Sequence, residues 1–263
     1  MDRLEQIQFL NAILLEELPQ YRSIAAQEEP RRLLRYLMNL RPPLPLRADF
    51  LAMQDALLSA EREERGVVEG AALPAVPAHP RLSLWQGDIT RLRVDAIVNA
   101  ANSALLGCFC PGHTCIDNVI HSAAGLQLRD ACNQIMQAQG HSEPPGRAKL
   151  TPGFNLPCRF VLHTVGPIVS GPLTERHRAE LAACYESCLG LAAREGLESV
   201  AFCCVSTGEF RFPHQEAAQI AVQAVMGFLK KDTSIRKVIF NVFKDCDAGI
   251  YRGLLGLSGA AQA

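Results

Sequence analysis

Four side chains that bind soft metal ions lie within eight residues of this sequence: Cys108, Cys110, His113 and Cys115. A Pro-Gly pair between them favours a loop over a core strand. Cys and His are the usual ligands of zinc; three protein ligands leave a position open for catalysis, whereas four close the site. The spacing therefore predicts a zinc site whose type depends on Cys110. The alternative is a set of buried thiols beside a surface histidine.

Polar residues flank this Cys/His loop on both sides. Asp117 follows Cys115 by two residues, at the start of a helical pattern. An Asp in the first turn of a helix stabilises the helix dipole, but a carboxylate so near a metal can also orient or deprotonate a water molecule. Asn99 and Asn102 lie at the end of a predicted strand, where Asn either closes a turn or faces a polar pocket. Two such residues beside the Cys/His loop favour the pocket.

Two further turns follow predicted strands. Asp88, within Gly-Asp-Ile-Thr, is either the cap of a short helix or an acceptor for an exocyclic amine such as that of adenine. Residues 206–210, Ser-Thr-Gly-Glu-Phe, resemble loops whose backbone N–H groups hold a phosphate. Phe210 in such a loop would suit the face of a sugar or base. Each of these two signals is weak when taken alone.

The elements that position these residues alternate between strands and helices after His79. Short β-branched or aromatic runs predict buried strands at residues 82–86, 94–100, 159–165, 199–206 and 236–243. Helical patterns lie over residues 116–139, 175–195, 214–230 and 249–255. The alternation predicts an α/β/α sandwich with a largely parallel sheet. Ligands of such sheets bind beyond the carboxyl ends of the strands.

The first seventy residues have a different pattern. Apolar residues at helical spacing over residues 2–18, 33–40 and 48–64 predict a small all-helical N-terminal extension, residues 1–70, without evident chemistry. Prolines make residues 71–80 a predicted linker. The main domain then covers residues 81–255, and the Gly/Ala/Ser tail at 256–263 is expected to fray.

Composition excludes several classes of protein. The 263 residues are 48% hydrophobic and 20% charged, as expected of a globular protein with a sizeable core. The net charge of −1, without a dense Lys/Arg block, argues against a nucleic-acid partner. No apolar run is long enough to span a bilayer and no signal peptide is visible, which predicts a cytoplasmic protein with no membrane partner. Most of the ten cysteines are then expected to be core thiols.

Taken together, these motifs resemble the macrodomain family of ADP-ribose-binding modules. GDIT, DAIVNAAN, the Cys/His loop with its helix, and VSTGEFRFP occur in the family's order between Arg81 and Leu255. The resemblance implies a three-layer α/β/α fold with a mixed, largely parallel sheet. CFCPGHTC stands where most hydrolytic macrodomains have a glycine-rich loop. It is similar to the zinc-dependent microbial subfamily, which has a helical N-terminal extension and is often paired with a sirtuin-type ADP-ribosyltransferase.

The resemblance also implies roles for single residues. Asp88 and Ile89 would contact adenine, and Asn102 the distal ribose. The Zn²⁺ ligands would be Cys108, His113 and Cys115, with Cys110 a bystander. The implied catalytic residues are Asp117 and Asn102. The implied ADP-ribose-binding residues are Asp88, Ile89, Asn102, Cys115, Ile116, Asp117, Ser206, Thr207, Gly208, Glu209 and Phe210.

The sequence thus leads to a functional hypothesis. The chain would be a zinc-dependent ADP-ribosyl hydrolase that removes mono-ADP-ribose from acidic side chains of modified proteins. Zinc would hold the attacking water or a hydroxyl of the distal ribose, and Asp117 would orient the water as general base. Its partners would be a mono-ADP-ribosylated protein and a sirtuin-type transferase with its substrate protein. Two alternatives remain: a reader module that binds ADP-ribose around a structural zinc, and cleavage of related esters or nucleotide sugars.

Overall fold

A computed structural model describes residues 1–25 and 27–257 of the chain. Its strands are β1 (Val68–Glu69), β2 (Leu82–Gln86), β3 (Leu92–Arg93), β4 (Ala96–Ala101), β5 (Ala148–Pro152), β6 (Phe160–Val165), β7 (Ser199–Phe202) and β8 (Lys237–Val242). Its α-helices are α1 (Arg3–Glu17), α2 (Arg22–Ala25), α3 (Pro30–Leu40), α4 (Ala48–Arg65), α5 (Ile116–Ala124), α6 (Leu126–Gln139), α7 (Glu175–Arg194), α8 (His214–Leu229) and α9 (Asp245–Leu254). The tail predicted to fray begins at residue 256, and its residues from 258 on lie outside the described part of the chain.

A six-stranded sheet with the order β2-β8-β7-β4-β6-β5 forms the centre of the main domain. All neighbours in it are parallel except β5, which runs antiparallel to β6. Helices α5, α7 and α9 pack against its strands. The prediction of an α/β fold with a mixed, largely parallel sheet is confirmed. β4 is buried along nearly its whole length, which explains its continuous apolar sequence.

Two predicted elements end earlier than their patterns indicate. The strand predicted over 199–206 stops at Phe202, and the chain then turns into a loop in which Ser206 has a φ of 65°. The helix predicted over 116–139 is two helices, because Gly125 between them has a φ of 96°, which a helix cannot contain. The first break, after Phe202, lies beside the cleft described below, whereas Gly125 lies at the far end of α5, next to Gln54 of α4. The first break lets the chain change direction at the carboxyl end of β7.

Strand β5 was not predicted from the sequence. Its five residues, Ala-Lys-Leu-Thr-Pro, include few β-branched residues and end on a proline that cannot donate to a neighbouring strand. The strand is only half-buried because it lies at the edge of the sheet. Proline is tolerated at such an edge, so the sequence signal of this strand is weak.

The helical extension forms a hydrophobic cluster of its own. Leucine and isoleucine side chains of α1, α3 and α4 pack together, and Leu126 of the main domain joins them. The segment at 71–80 runs beside β2, where Ser83 Oγ donates to Pro74 O (2.6 Å) and Val76 is buried. The extension is therefore tied to the sheet through packed residues. Over the described ranges, no helix combines the length and apolar character that crossing a bilayer requires.

The ten cysteines are free thiols. Cys184, Cys188 and Cys203 are buried in the main hydrophobic core, as their positions in helical and strand patterns predict. Buried thiols of this kind act as small apolar side chains. The cysteines of the Cys/His loop differ, since Cys108 and Cys115 are half-buried and Cys110 is exposed.

Candidate active site

A cleft of about 770 Å³ opens at the carboxyl ends of the parallel strands. Residues that directly follow β2, β4, β7 and β8 line it, together with the Cys/His loop and the first turn of α5. All the residues implied by the resemblance lie on its wall: Asp88, Ile89, Asn102, Cys108, His113, Cys115, Ile116, Asp117, Ser206, Thr207, Gly208, Glu209 and Phe210. The fold thus brings together residues that are up to 122 positions apart, from 88 to 210.

Asp117 is a buried carboxylate at the wall of this cleft. It lies in the first turn of α5 with only 5% of its surface exposed. Its Oδ1 accepts a hydrogen bond from Asn99 Nδ2 (2.8 Å) and its Oδ2 one from Asn102 Nδ2 (3.2 Å). Burial raises the pKa of Asp117 to about 6, although the Asn99 bond favours the charged form. A carboxylate with a pKa near neutrality is suited to accept a proton during a reaction.

The two asparagines have different positions. Asn102 lines the cleft, whereas Asn99 is fully buried behind Asp117. Asn99 Nδ2 also lies 3.2 Å from His163 Nδ1, and His163 Nε2 lies 2.9 Å from Thr151 Oγ1. Burial lowers the pKa of His163 to about 3, so its ring is neutral and can accept at Nδ1 while donating at Nε2. This chain of neutral groups fixes the side chain of Asn99, and Asn99 in turn fixes Asp117.

The metal-binding side chains of the Cys/His loop converge. The ligand atoms of Cys108, His113 and Cys115 all lie within 4.8 Å of one another, and Cys108 Sγ is 3.6 Å from His113 Nδ1. Sulfur and nitrogen ligands of a tetrahedral zinc ion are separated by roughly 3.5 Å. Burial raises the pKa of the Cys115 thiol to about 12, so this thiol stays protonated unless a cation lies beside it. The cluster fits zinc with three protein ligands.

Cys110 is not part of this cluster. Its side chain is exposed, and its backbone oxygen accepts a hydrogen bond from Asn118 Nδ2 (2.9 Å). His113 instead points its second ring nitrogen across the cleft, where Nε2 lies 3.5 Å from Glu209 Oε1. A carboxylate at that position can orient the imidazole of a metal ligand.

Asp88 lies at the opposite end of the cleft. Its Oδ1 accepts from Thr90 N (2.9 Å) and caps the 3-10 turn that follows, as the plain interpretation of the sequence predicts. Its Oδ2 is 3.4 Å from Arg65 Nη1, and Ile89 beside it is buried. Phe243 also lines this end with 76% of its surface exposed. The sequence pattern assigned Phe243 to a buried strand, but β8 ends one residue before it.

The loop at residues 206–210 is held by backbone hydrogen bonds, one of them from Val169 N to Phe210 O (2.9 Å). Ser206 O accepts from Phe212 N (2.9 Å) and Gly208 O accepts from Arg211 N (3.0 Å). Within the described ranges, the backbone N–H groups of residues 207–209 donate to no protein acceptor. Such a run of free N–H groups at the carboxyl end of a strand is typical of an anion-binding loop.

One lining residue comes from the helical extension. Arg35 of α3 reaches the cleft beside the Cys/His loop, where its Nη2 donates to His113 O (2.9 Å) and to Asn118 Oδ1 (3.0 Å). The sequence assigned no chemistry to the extension. Its contact partners are 78 and 83 residues away along the chain, so no local pattern could indicate them.

Proteins of known sequence and structure resemble this chain. A family model described as Macro domain matches residues 98–221. A Treponema medium protein named protein-ADP-ribose hydrolase is 50% identical over 260 residues, covering 97% of this chain and 100% of that protein. A Staphylococcus aureus (strain MSSA476) protein of the same name is 47% identical over 226 residues, covering 86% of this chain and 84% of that protein.

Solved structures resemble the fold as well. The Trypanosoma brucei macrodomain in complex with ADP-ribose has a TM-score of 0.67 and 30% identity, covering 87% of this chain and 97% of that one. An Oceanobacillus iheyensis macrodomain mutant with ADPR has a TM-score of 0.62 and 37% identity, covering 67% of this chain and 92% of that one. With this fold, this cleft and relatives matched over nearly their whole length, the chain belongs to the macrodomain family.

Proposed function

We propose that this chain is a zinc-dependent hydrolase that removes mono-ADP-ribose from acidic side chains of modified proteins. Two relatives aligned over most of their length are named protein-ADP-ribose hydrolases, which supports a hydrolase acting on protein ADP-ribose. The observation that carries the finer proposal is the buried Asp117, two residues from a cluster that fits zinc and on the wall of the same cleft.

The cleft offers a place for each part of ADP-ribose. Asp88 Oδ2 and the exposed ring of Phe243 suit an adenine, one through its amine and the other through its face. The free N–H groups of residues 207–209 suit the diphosphate, which explains how a chain with a net charge of −1 can bind a dianion. Asn102 and Asp117 then lie at the distal ribose.

Asp117 is the general base of the proposed reaction. It accepts a proton from a water molecule as the water oxygen bonds to the anomeric carbon and the bond from that carbon to the carboxylate oxygen breaks. Asn99 and Asn102 donate to its two oxygens and hold it in place. Zinc, when held by Cys108, His113 and Cys115, would supply Lewis-acid stabilisation of the charge that develops.

The preference for acidic side chains has a chemical basis. An Asp or Glu ester releases a carboxylate, which is a stable anion at neutral pH and leaves without being protonated. A glycosidic bond to a serine hydroxyl would need a proton donor at the leaving oxygen. The cleft presents a base with a pKa raised only to about 6, which suits the first linkage. We expect the modified protein to be the product of a sirtuin-type transferase, in the cytoplasm.

Release of ADP-ribose from a protein mono-ADP-ribosylated on Glu or Asp tests the proposal. We expect Asp117→Asn to slow release by about 10²- to 10⁴-fold, because the base is lost, while the Kd for free ADP-ribose stays within a few-fold. Cys115→Ser should lose bound zinc and activity. Cys110→Ser is the matched control in the same loop and should retain both.

Three results would count against the proposal. Unchanged release by Asp117→Asn would exclude its role as base. Tight ADP-ribose binding without release by the wild-type protein, with or without added zinc, would favour a reader module. Loss of zinc in Cys110→Ser would indicate a closed structural site. A serine-linked substrate run in parallel tests the linkage, since equal release from both would remove the argument for acidic side chains.

A further inference from the structure

Helix α3 of the N-terminal extension contacts the Cys/His loop through three side chains. Asn39 Oδ1 accepts from Gly112 N (3.0 Å), and Asn39 Nδ2 donates to Ser122 Oγ of α5 (3.0 Å). The ring of Tyr36 fills the place that a Cβ would take at Gly112, whose φ of 63° also favours glycine. Arg35, described above, completes the set. The tip of the loop, at Gly112, therefore packs against α3.

Arg35 is linked to the backbone of the whole loop through Asn118. Asn118 is fully buried, accepts from Arg35 at Oδ1, and donates from Nδ2 to the backbone oxygens of Cys108 (3.4 Å) and Cys110 (2.9 Å). Its own backbone N–H lies 3.4 Å from Cys115 Sγ. Arg35, together with Ser122 Oγ, which donates to the same oxygen (3.2 Å), thus fixes the amide that holds the backbone of Cys108 and Cys110.

A second buried arginine joins α3 to the start of the same loop. Arg129 of α6 donates to Met38 O (2.8 Å) at the end of α3 and to Leu106 O (2.7 Å) just before the loop. Its guanidinium also lies 4.4 Å from the centre of the Phe109 ring. The loop is consequently held to α3 at its tip and at its base.

Resting on the proposed function, we infer that the helical extension completes the active site. Arg35 and Asn39 are positioning residues that hold the Cys/His loop in its metal-binding shape. A metal site needs its ligands fixed to within about 0.5 Å, and groups that orient ligands commonly change metal affinity 10- to 100-fold. The extension is thus part of the catalytic unit rather than a separate docking module.

Zinc affinity of full-length variants, measured by competition with a chelating dye, tests this inference. We expect Arg35→Ala and Asn39→Ala each to weaken zinc binding about 10- to 100-fold. Their Kd for ADP-ribose without zinc should stay within a few-fold of wild type, because the adenine and diphosphate contacts lie elsewhere. Arg35→Lys should recover part of the affinity, since an ammonium can still donate to His113 O or Asn118 Oδ1.

Arg32→Ala is the matched control. Arg32 is an exposed arginine of the same helix whose side chain pairs, within residues 1–25 and 27–257, with Glu28 alone, and its loss should leave zinc affinity unchanged. Preserved ADP-ribose binding shows that each variant is folded. If Arg35→Ala and Asn39→Ala bind zinc as tightly as wild type, the inference is wrong while the proposed function stands. If the wild-type protein binds no zinc, both fall.

Discussion

The two walls of the cleft are built in different ways. The Cys/His loop is held by side chains of two helices, Arg35 and Asn39 of α3 and Asn118 of α5. The loop at 206–210 is held by backbone hydrogen bonds, such as Phe212 N to Ser206 O next to it and Val169 N to Phe210 O from a distant segment. The first wall presents side-chain ligands to the cleft, and the second presents backbone N–H groups and the Glu209 carboxylate, which lies 3.5 Å from His113 Nε2.

This difference assigns the reaction chemistry to the first wall and the binding of the diphosphate to the second. A side-chain wall can place sulfur, nitrogen and carboxylate groups where a reaction needs them, but each group depends on its neighbours for position. A backbone wall binds an anion through dipoles that any sequence of the right shape provides. We therefore expect changes behind the first wall to affect zinc and turnover, and changes behind the second to affect ADP-ribose affinity.

Removal of zinc is the strongest test of that separation. A chelator should lower ADP-ribose release about 100-fold or more, because Lewis-acid stabilisation is worth several kcal/mol. The Kd for ADP-ribose should change little, since the backbone wall needs no metal. Calorimetry with free ADP-ribose and a release assay on the same sample would measure both, and added Zn²⁺ should restore release. A parallel loss of binding would show that the two walls are not independent.

Two glycines allow each wall to be disturbed alone. A Cβ at Gly107 would lie 2.9 Å from His121 Cγ, directly behind the Cys/His loop, and the φ of 81° adds strain. A Cβ at Gly166 would contact Ser206 Oγ and lie 2.9 Å from Val205 Cγ1, behind the other wall. We expect Gly107→Ala to lower zinc affinity and kcat about 10-fold, and Gly166→Ala to raise the Kd for ADP-ribose by a similar factor.

Gly196→Ala serves as the control for these two variants. Gly196 also has a positive φ, of 68°, but nothing lies within 4 Å of its Cβ position, so the substitution tests backbone strain without a clash at either wall. It should lower stability and leave both affinities unchanged. If Gly107→Ala and Gly166→Ala shift the same parameter, the division of labour between the walls is wrong.

The sheet and most of the cleft could be predicted from the sequence because their signals are local. Continuous apolar runs mark β4, β6 and β8, and the motifs at their ends carry the resemblance to macrodomains. The edge strand β5 lacked such a signal. The break at Gly125 was missed because an isolated glycine in a helical pattern is often tolerated.

The side chains that hold the Cys/His loop and Asp117 in position could not be predicted from local sequence patterns. Arg35 lies in an amphipathic helix with other arginines, and only the docking of that helix shows which of them reaches the cleft. His163 belongs to a strand that reads as apolar, yet it anchors Asn99 behind Asp117. Phe243 looked like the last residue of a strand, and its exposure depends on β8 ending at Val242.

The buried histidine behind the first wall leads to the smallest expected effect, a change in stability with pH. The pKa of His163 is about 3 in the folded chain and about 6.5 when unfolded. Below pH 6.5 the unfolded chain therefore takes up a proton that the folded chain does not. This proton uptake lowers the free energy of unfolding by up to about 1.4 kcal/mol per pH unit, until the pH reaches the folded pKa of His163, about 3.

Asp117 acts in the opposite direction over part of this range. Its folded pKa of about 6 lies above the pKa of 3.8 that an aspartate has outside the fold, so between these values the folded chain binds the extra proton and is stabilised as the pH falls. Asp117 therefore partly cancels the loss of stability that His163 causes as the pH falls. Burial also lowers the pKa of His121, which adds to the His163 effect. The contribution of His163 must be measured as the difference in unfolding free energy between the wild-type protein and a variant without this histidine.

His163→Asn isolates that contribution, because asparagine can still accept from Asn99 but does not titrate. From pH 6.5 to 5.5 the wild-type protein should lose about 1 kcal/mol of stability relative to His163→Asn, measured by urea unfolding. Asp117→Asn is the opposing control and should steepen the loss below pH 6. ADP-ribose affinity at pH 5.5 should be the same in wild type and His163→Asn, because both keep Asp117 and the backbone groups that hold the diphosphate wall do not titrate. Equal slopes for wild type and His163→Asn would mean that His163 takes up a proton as readily in the folded chain as in the unfolded chain, and the neutral network behind Asp117 would have to be abandoned.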